Sequence, residues 1–171
     1  MDFDFITSAL AVGARQPADA WGRLASELGV RRVVDVRLEA CDDQALLAGH
    51  GIELLHLPTA DCTAIAPELI DRGVAWVVKE IASGEKVLVH CQHGIGRSAL
   101  FAACALVGLG QAPVEAVRMV KDARPCVMPN SEQLQALIAF AARFAAAARV
   151  GWTLPTEDEL ARIVWRDLRW R

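Results

Sequence analysis

Short apolar runs in the first half of the chain predict strands. Val30–Arg37 is rich in β-branched residues, Ile52–Leu57 and Lys86–His90 are compact apolar runs, and each has the composition of a buried strand. Pro58 follows the second run, and we expect it to end that strand. The opening segment Phe3–Arg15 has weaker apolar runs broken by polar residues, which predicts one or two edge strands.

Apolar residues elsewhere recur every three to four positions, which is the spacing of one helical face. The first such face follows Pro17, a plausible first helical residue, and ends at Gly29. Its apolar members are Trp21, Leu24, Ala25 and Leu28. Further helices are predicted over residues 43–48, 67–81, 98–109, 113–123, 130–148 and 156–169.

The order of these elements predicts an α/β fold. Strands and helices alternate up to His90 and helices alone follow, which favours a central, mostly parallel sheet of four to five strands flanked by helices. A length of 171 residues suits a single domain. We assign residues 1–149 to this domain and residues 150–171 to a C-terminal helical tail packed on it.

The tail has the pattern of an amphipathic helix. Thr156 and Glu159 stand at the spacing of a capping box, which predicts the start of the helix. Its apolar stripe comprises Leu160, Ile163, Val164, Trp165 and Leu168. Packing of this stripe on the domain is the expected arrangement, and contact with a partner is the alternative.

Composition and charge weaken two classes of partner. Hydrophobic residues make up 54% of the chain and the formal net charge is −3, which argues against strong binding to nucleic acid or to an anionic membrane. The opening MDFDFITSAL lacks the basic start of a secretion signal, and the five cysteines are an odd number. We therefore expect free thiols in a reducing cytoplasm, and we expect a monomer.

One segment, VHCQHGIGRSA, concentrates the candidate chemistry. It follows the last predicted strand and precedes a helix, and ligands of α/β folds bind at the carboxyl ends of strands. Gly94 and Gly96 permit backbone angles that other residues resist, so the N–H groups of the loop can converge on an anion at the helix N-terminus. Arg97 adds a planar fork that suits two phosphate oxygens. The segment therefore predicts a phosphate-binding loop.

Cys91 lies in this loop and has the setting of a nucleophile. Loop amides and the helix dipole stabilise a thiolate, so we expect the pKa of Cys91 to lie below that of a free cysteine. Ser98 can hydrogen-bond the sulfur and help it leave a phosphocysteine intermediate, and His90 can fix the loop through its ring nitrogens. The expected phosphate-binding residues are Gln92, His93, Gly94, Ile95, Gly96 and Arg97.

The pattern His-Cys-x-x-Gly-x-x-Arg-Ser resembles the signature of the cysteine-dependent protein tyrosine phosphatases. The similarity covers roughly Leu10–Phe144, including KDARPCVMPNSEQLQAL, which resembles the segment after the family's signature helix. The resemblance implies hydrolysis of phosphomonoesters through a phosphocysteine intermediate, on phosphotyrosine and also on phosphoserine or phosphothreonine of proteins. Neither a metal nor a cofactor is expected, because the helix dipole and Arg97 take that role.

The resemblance also implies a general acid on a neighbouring loop. A leaving alkoxide or phenoxide needs a proton, and in the dual-specificity branch an aspartate lies roughly thirty residues before the cysteine. Asp61, in LPTADCTAIAP, occupies that place. We expect it first to protonate the leaving group and then to accept a proton from the hydrolytic water. In this respect the chain resembles the small atypical dual-specificity phosphatases.

Departures from the family narrow the substrate. The chain has no tyrosine, so the aromatic residue that deepens the pocket of tyrosine-specific enzymes is missing, which favours the shallower dual-specificity type. Positions 92, 93 and 95 hold no lysine, where phosphoinositide phosphatases of the superfamily often have one, which weakens a lipid substrate. His93 resembles RNA 5′-triphosphatases of the superfamily and keeps that alternative open, but those enzymes carry Asn-Arg-Thr where this chain has Gly96 and Ser98.

Two other classes remain as alternatives. A phosphate-binding adaptor with little turnover would keep the loop, although the intact Cys91, Arg97 and Asp61 argue against it. A rhodanese-like sulfurtransferase also uses a cysteine in an anion-binding loop, but it would not need Asp61. We expect no metal site, because the spacing of the histidines and cysteines matches no structural zinc pattern and a metal on Cys91 would block its chemistry.

Several other side chains have candidate roles. Arg37 ends a strand that resembles the family strand near the pocket rim, where an arginine is more often a surface charge than a substrate contact. Cys62 and Cys104 are candidate partners of Cys91 in a protective disulfide, with a buried free thiol as the commoner role. The candidates to orient the hydrolytic water are Asn130, Ser131 and Gln133.

Overall fold

The computed structural model describes residues 1–167, in which five strands and seven α-helices alternate largely as predicted. The strands are β1 Phe3–Phe5, β2 Leu10–Gly13, β3 Val30–Arg37, β4 Glu53–Thr59 and β5 Lys86–His90. A 3-10 turn, Ala18–Ala20, precedes the helices α1 Trp21–Ser26, α2 Gln44–Gly49, α3 Pro67–Ala82, α4 Arg97–Gly108, α5 Pro113–Ala123, α6 Ser131–Ala148 and α7 Glu157–Val164. Pro17 therefore starts a 3-10 turn and not the predicted helix.

The strands form one mostly parallel sheet in the order β1-β2-β5-β3-β4, which confirms the predicted fold class. Only β1 is antiparallel to its neighbour within this described sheet. The prediction that β2 is an edge strand is wrong. This strand lies between β1 and β5, and all four of its residues are buried. His90 is level with Gly13 on one side and with Asp35 on the other, so β2 and β5 end together and β3 runs two residues further, to Arg37.

The prediction that Pro58 ends a strand is wrong. Residue 58 lies inside β4, which runs on to Thr59, and Arg37 of β3 is level with Thr59. Because β4 is an edge strand and Pro58 is exposed, no neighbouring strand requires the missing N–H group. The extra residues carry the chain to the carboxyl edge of the sheet, where the loop with Asp61 begins.

Residues that alternate along the strands supply two apolar clusters, one on each face of the sheet. Val33 and Leu88 belong to the smaller cluster, together with Trp21 of α1 and Leu47 of α2. Val34 and the other face of β5 belong to the larger cluster, which also contains residues of α3–α7. Helix α4 is buried from Arg97 to Val107, so the helix that begins at the phosphate loop runs through the middle of the core.

Helix α7 lies on α5 and α6. Thr156 and Glu159 form the predicted capping box, and Leu160 and Val164 are buried in the larger cluster. The predicted end of this helix and Leu168 of its stripe lie outside the described residues. The division at residue 149 stays a prediction. No helix in residues 1–167 is both long and apolar enough to span a membrane.

Candidate active site

The phosphate loop is shaped by its contact with the end of β2. Gly94 has φ +69°, a left-handed conformation that favours glycine. A Cβ atom at this position would lie 2.5 Å from the carbonyl carbon of Gly13 and 2.6 Å from the backbone nitrogen of Ala14. On the other side, Nε of the buried Arg124 donates to the Gly94 carbonyl oxygen over 2.9 Å. The loop is therefore held between β2 and the C-terminal end of α5.

Cys91 is buried at the bottom of this loop, with 3% of its surface exposed. The backbone N–H of Gly94 donates to Sγ over 3.2 Å, and Oγ of Ser98 lies 3.3 Å from the same sulfur. Burial raises the pKa of the thiol, but hydrogen bonds from the Ser98 side chain and from the N–H groups of Ser98, His93 and Gly94 outweigh it. The net pKa of Cys91 is lowered, which favours the nucleophilic thiolate.

Arg97 is almost fully buried and is oriented by acceptors on two sides. Its Nη1 and Nη2 donate to the two carboxylate oxygens of Glu39 over 2.8 and 2.7 Å, and Nη1 also donates to the Thr59 carbonyl. Oδ1 of Asp61 lies 2.9 Å from Nη2. Within residues 1–167, the buried Nε of Arg97 has no hydrogen-bond partner.

The loop that carries Asp61 is fixed by the start of α6. Nδ2 of Asn130 donates to the Cys62 carbonyl over 2.7 Å, and Nε2 of Gln133 donates to the Thr63 carbonyl over 3.0 Å. Cys62 has φ +60°, which is strained for a residue with a side chain. Asn130 and Gln133 thus hold the acid loop in place, and their role in orienting water stays a prediction.

One cavity of about 210 Å³ lies between the phosphate loop and the loop that carries Asp61. Asp61 and Cys91 line it, with Ile95 and Met128 forming a partly exposed apolar side. His93, Gly96, Cys62, Asn130 and Gln133 complete the lining. Gln92 does not line this cavity but an adjacent cleft, and its Oε1 lies 3.5 Å from Nη1 of Arg37, so its predicted contact with phosphate stays a prediction.

His90 is fully buried beside the loop, and its role as a support of the loop stays a prediction. Its Nε2 lies 2.7 Å from Oδ2 of Asp42, and its Nδ1 lies 3.4 Å from the Cys91 carbonyl oxygen. Arg37 belongs to the same buried group and pairs with Asp35 and Asp42. Arg37 is therefore neither the surface charge nor the substrate contact considered from the sequence, because its guanidinium is engaged inside the fold.

Two groups of side chains are close enough together to suggest a metal site, and both include Asp35. One adds Cys41 and His56, and the other adds Asp42 and His90. However, Oδ1 of Asp35 accepts from the backbone N–H and Nε of Arg37, and Oδ2 accepts from Nη2 of Arg37 and from the Asp42 N–H. This carboxylate is saturated by an arginine, which fits an ion pair and not a cation site.

The other cysteines are placed differently from one another. Cys62 lines the same cavity as Cys91, so a disulfide between them stays a prediction. Cys104 is fully buried within α4, does not line that cavity, and has its pKa raised by burial.

Sequence reasoning missed Glu39, Asp42 and Arg124. The first two follow the carboxyl end of β3, where a cluster of polar residues after a strand is a usable signal in an α/β fold. Nothing in the local sequence signals that Arg124 contacts the phosphate loop.

Comparisons with known proteins agree with this geometry. A family model described as "Dual specificity phosphatase, catalytic domain" matches residues 16–143. The rat and human proteins named "Phosphatidylglycerophosphatase and protein-tyrosine phosphatase 1" are each 30% identical over 151 residues, which cover 84% of this chain and 78% and 75% of theirs. Human "Dual specificity protein phosphatase 16" is 40% identical over 87 residues, 49% of this chain and 13% of that protein.

Solved structures show the same similarity. The crystal structure of PTPMT1 in complex with PI(5)P superposes with a TM-score of 0.80 at 26% identity, and covers 85% of this chain and 98% of that one. Tk-PTP in its active form superposes with a TM-score of 0.75 at 26% identity, over 83% and 97% of the two chains.

Proposed function

The chain belongs to the dual specificity phosphatase family, and on that premise we propose that it is a metal-independent phosphomonoesterase that works through a phosphocysteine intermediate. The observation that carries the proposal is the cavity that Cys91, with its lowered pKa, lines together with Asp61, whose carboxylate lies 2.9 Å from Nη2 of Arg97. The loop N–H groups and the guanidinium supply the positive field that a phosphoryl group requires.

In the first step the Cys91 thiolate attacks phosphorus. A phosphorus–sulfur bond forms while the bond to the ester oxygen breaks, and protonated Asp61 gives its proton to that oxygen. Nε of Arg97 and the loop N–H groups stabilise the charge on the transferring oxygens. Asp61 is 61% exposed at the mouth of the cavity, where a leaving group departs.

In the second step water attacks the phosphocysteine. The Asp61 carboxylate takes a proton from that water, a phosphorus–oxygen bond forms, and the phosphorus–sulfur bond breaks. The electron pair returns to sulfur, and the Ser98 hydroxyl, 3.3 Å away, can donate a hydrogen bond to the departing thiolate. Inorganic phosphate is the product.

We propose phosphorylated side chains of proteins as the substrate, with phosphotyrosine first and phosphoserine or phosphothreonine after it. The family to which the chain belongs supports this class. We further propose a cytoplasmic monomer, and the support for that compartment is the exposed free thiols of Cys41, Cys62 and Cys126.

A phosphomonoester on a lipid headgroup is the second candidate substrate. Relatives that match most of both chains are named for phosphatidylglycerophosphatase activity as well as protein-tyrosine phosphatase activity. The exposed side chains of Ile95 and Met128 beside the cavity offer an apolar surface next to the phosphate loop. These observations weaken the argument against a lipid substrate that rests on the absence of lysine from the loop.

Hydrolysis of para-nitrophenyl phosphate in the presence of EDTA tests the proposal. We expect the wild type to turn over, Cys91→Ser to be inactive, and Asp61→Asn to be slowed by about 10²–10⁴-fold. Release of phosphate from phosphotyrosine and phosphothreonine peptides, compared with short-chain phosphatidylglycerophosphate in micelles, then separates the two substrate classes. A wild type that binds vanadate but hydrolyses nothing would make the loop a recognition site.

A further inference from the structure

A buried group of charged side chains lies directly behind the phosphate loop, outside the cavity that takes the substrate. We infer that Asp42 is a positioning residue for the nucleophile: it acts through His90, while Arg37 of the same group contacts Gln92. The inference deepens the proposed function and rests on it.

The contact between Asp42 and His90 fixes the histidine ring. A carboxylate only accepts hydrogen bonds, so Nε2 of His90 carries the proton and donates it to Oδ2 of Asp42 over 2.7 Å. The ring is fully buried and lies 6.2 Å from the Trp21 ring, centroid to centroid. With Nε2 anchored, the ring of the residue that precedes Cys91 is held in one position. Nδ1 lies 3.4 Å from the Cys91 carbonyl oxygen but cannot donate to it in this tautomer, so the His90 backbone transmits the constraint to the loop.

Arg37 extends this support to the residue on the other side of the nucleophile. Its Nη1 lies 3.5 Å from Oε1 of Gln92, and its Nη2 donates to Asp42 over 2.7 Å. His90 and Gln92 flank Cys91 in the chain. The same charged group therefore contacts both neighbours of the nucleophile without touching the cavity.

Asp35 holds the group in one arrangement. Both of its oxygens accept from Arg37, and Oδ2 also accepts from the Asp42 backbone N–H. Taking charges out of water is costly, so a buried ion pair contributes little net stability compared with apolar packing. What the group does provide is a rigid geometry, because removing one member would leave its partners buried and unpaired.

Arg37, 2.7 Å from Asp42, offsets part of the Asp42 charge, and it is the hydrogen bonds from Ser98, His93 and Gly94 that lower the pKa of Cys91. Loss of Asp42 would instead release the His90 ring and, through it, the first backbone group of the loop. The N–H groups that hold the Cys91 sulfur follow that backbone, so their alignment with the thiolate would be lost.

Two variants, Asp42→Ala and Asp42→Asn, test the inference, with Asp43→Asn as the matched control. Asp43 is the exposed N-cap of α2, asparagine caps equally well, and its carboxylate accepts from Ala45 and Leu46. We expect Asp42→Ala to lower kcat for para-nitrophenyl phosphate about 10- to 100-fold, because a displacement of a reacting group by about 1 Å can cost about 100-fold, with KM changed less than about threefold. We expect the kcat of Asp42→Asn to lie between those of the wild type and Asp42→Ala, and the kcat of Asp43→Asn to equal that of the wild type.

The rate of Cys91 alkylation by iodoacetamide, followed by mass spectrometry of the Cys91 peptide, is the second readout. It reports the state of the thiol without substrate turnover, so it still decides the inference if the wild type hydrolyses no phosphate ester. We expect alkylation to slow in Asp42→Ala and Asp42→Asn but not in Asp43→Asn. If Asp42→Ala does not fold, the asparagine variant carries the test.

A double-mutant cycle with His90→Gln identifies the route. If Asp42 acts through His90, replacing Asp42 in the His90→Gln background lowers kcat by less than about threefold more, because interacting residues are not additive. Independent, additive losses, or wild-type alkylation and kcat in both Asp42 variants, would overturn the inference.

Discussion

At the scale of single residues, Glu39 determines how Arg97 is presented to a phosphate. Its carboxylate occupies Nη1 and Nη2 in a two-point contact, the geometry that orients a guanidinium most strongly. The hydrogen bond from Arg97 lowers the pKa of Glu39 to about 2. Arg97 is thus held from its outer edge, and its Nε is left for the ligand.

We expect Glu39→Gln to reduce the difference between the free energy of unfolding at pH 7 and that at acidic pH. The pKa of Glu39 falls from 4.5 to about 2 on folding, so its stabilisation is complete above the unfolded value and is lost as the pH falls through the folded one. Because the side chain is 42% exposed, solvent screens the pair and we expect less than about 1 kcal/mol at pH 7. Urea denaturation at pH 7, 5 and 3 measures this.

The difference in the free energy of unfolding between wild type and Glu39→Gln should become smaller as the pH falls. A Glu27→Gln variant, which removes an exposed helix-surface pair with Arg23, provides the comparison. A gap between wild type and Glu39→Gln that stays constant from pH 7 to pH 3 would show that the Glu39 pKa is not depressed.

At the scale of elements, the phosphate loop depends on its close approach to β2. We expect Gly94→Ala to lower kcat/KM about 100-fold or more, because the added Cβ displaces a loop that must hold its groups within about 1 Å. Gly84→Ala is the control, since Gly84 has φ +88° with no atom within 4 Å of the added Cβ. Both variants carry a backbone strain of about 1–3 kcal/mol, but only the first should lose activity.

Steady-state kinetics and thermal unfolding of the two glycine variants make the comparison. Equal activity in both variants would mean that the loop adapts to the side chain and that its contact with β2 is not essential.

The start of α6 has two tasks that substitution can separate. Asn130 caps the helix with Oδ1 and holds the acid loop with Nδ2. Serine also caps well but is too short to reach Cys62, so we expect Asn130→Ser to retain stability and to lower kcat about three- to tenfold. Asn130→Ala should show the same loss of kcat and in addition about 1 kcal/mol of instability.

The loss in kcat should be larger for phenyl phosphate than for para-nitrophenyl phosphate, because the poorer leaving group needs the proton of Asp61 more. Equal losses for both substrates would mean that Asn130 does not act through the acid loop.

The local sequence pattern alone predicts the bounds of elements whose ends are marked by residues with a strong conformational preference, such as proline and glycine. Helix α5 begins at Pro113, and β5 ends at His90 where the loop glycines follow, and both were predicted with the observed bounds. The prediction for Pro58 is wrong because a proline ends a strand or not depending on whether that strand lies at the edge of the sheet. The local sequence does not show where the strand lies. Glu39 and Arg124 were missed because they meet the loop only after the sheet has formed.

At the scale of the whole molecule, α7 shares the larger apolar cluster with the helix that begins at the active site. Leu160 is fully buried there. We expect Leu160→Ala to destabilise the protein by about 2–5 kcal/mol in one cooperative transition, while kcat stays unchanged because α7 does not line the cavity. Arg162→Ala, on the exposed side of the same helix, should change stability by less than about 0.5 kcal/mol.

Urea denaturation followed by tryptophan fluorescence measures both variants. A Leu160→Ala protein whose main transition is unshifted would mean that residues 150–171 form a unit separate from residues 1–149.

The contacts of Arg124, which hold Gly94 in the phosphate loop, join distant parts of the chain. Arg124 holds the loop carbonyl while its other nitrogens donate to Asp2 and Asp4 at the opposite end of the sequence. On a ribosome, Cys91 therefore leaves the exit tunnel while the arginine that holds its loop, 33 residues later in the chain, is still inside it. We expect the nascent chain to carry a thiol of ordinary reactivity until residue 124 has emerged, so the nucleophile becomes active only in a nearly finished protein.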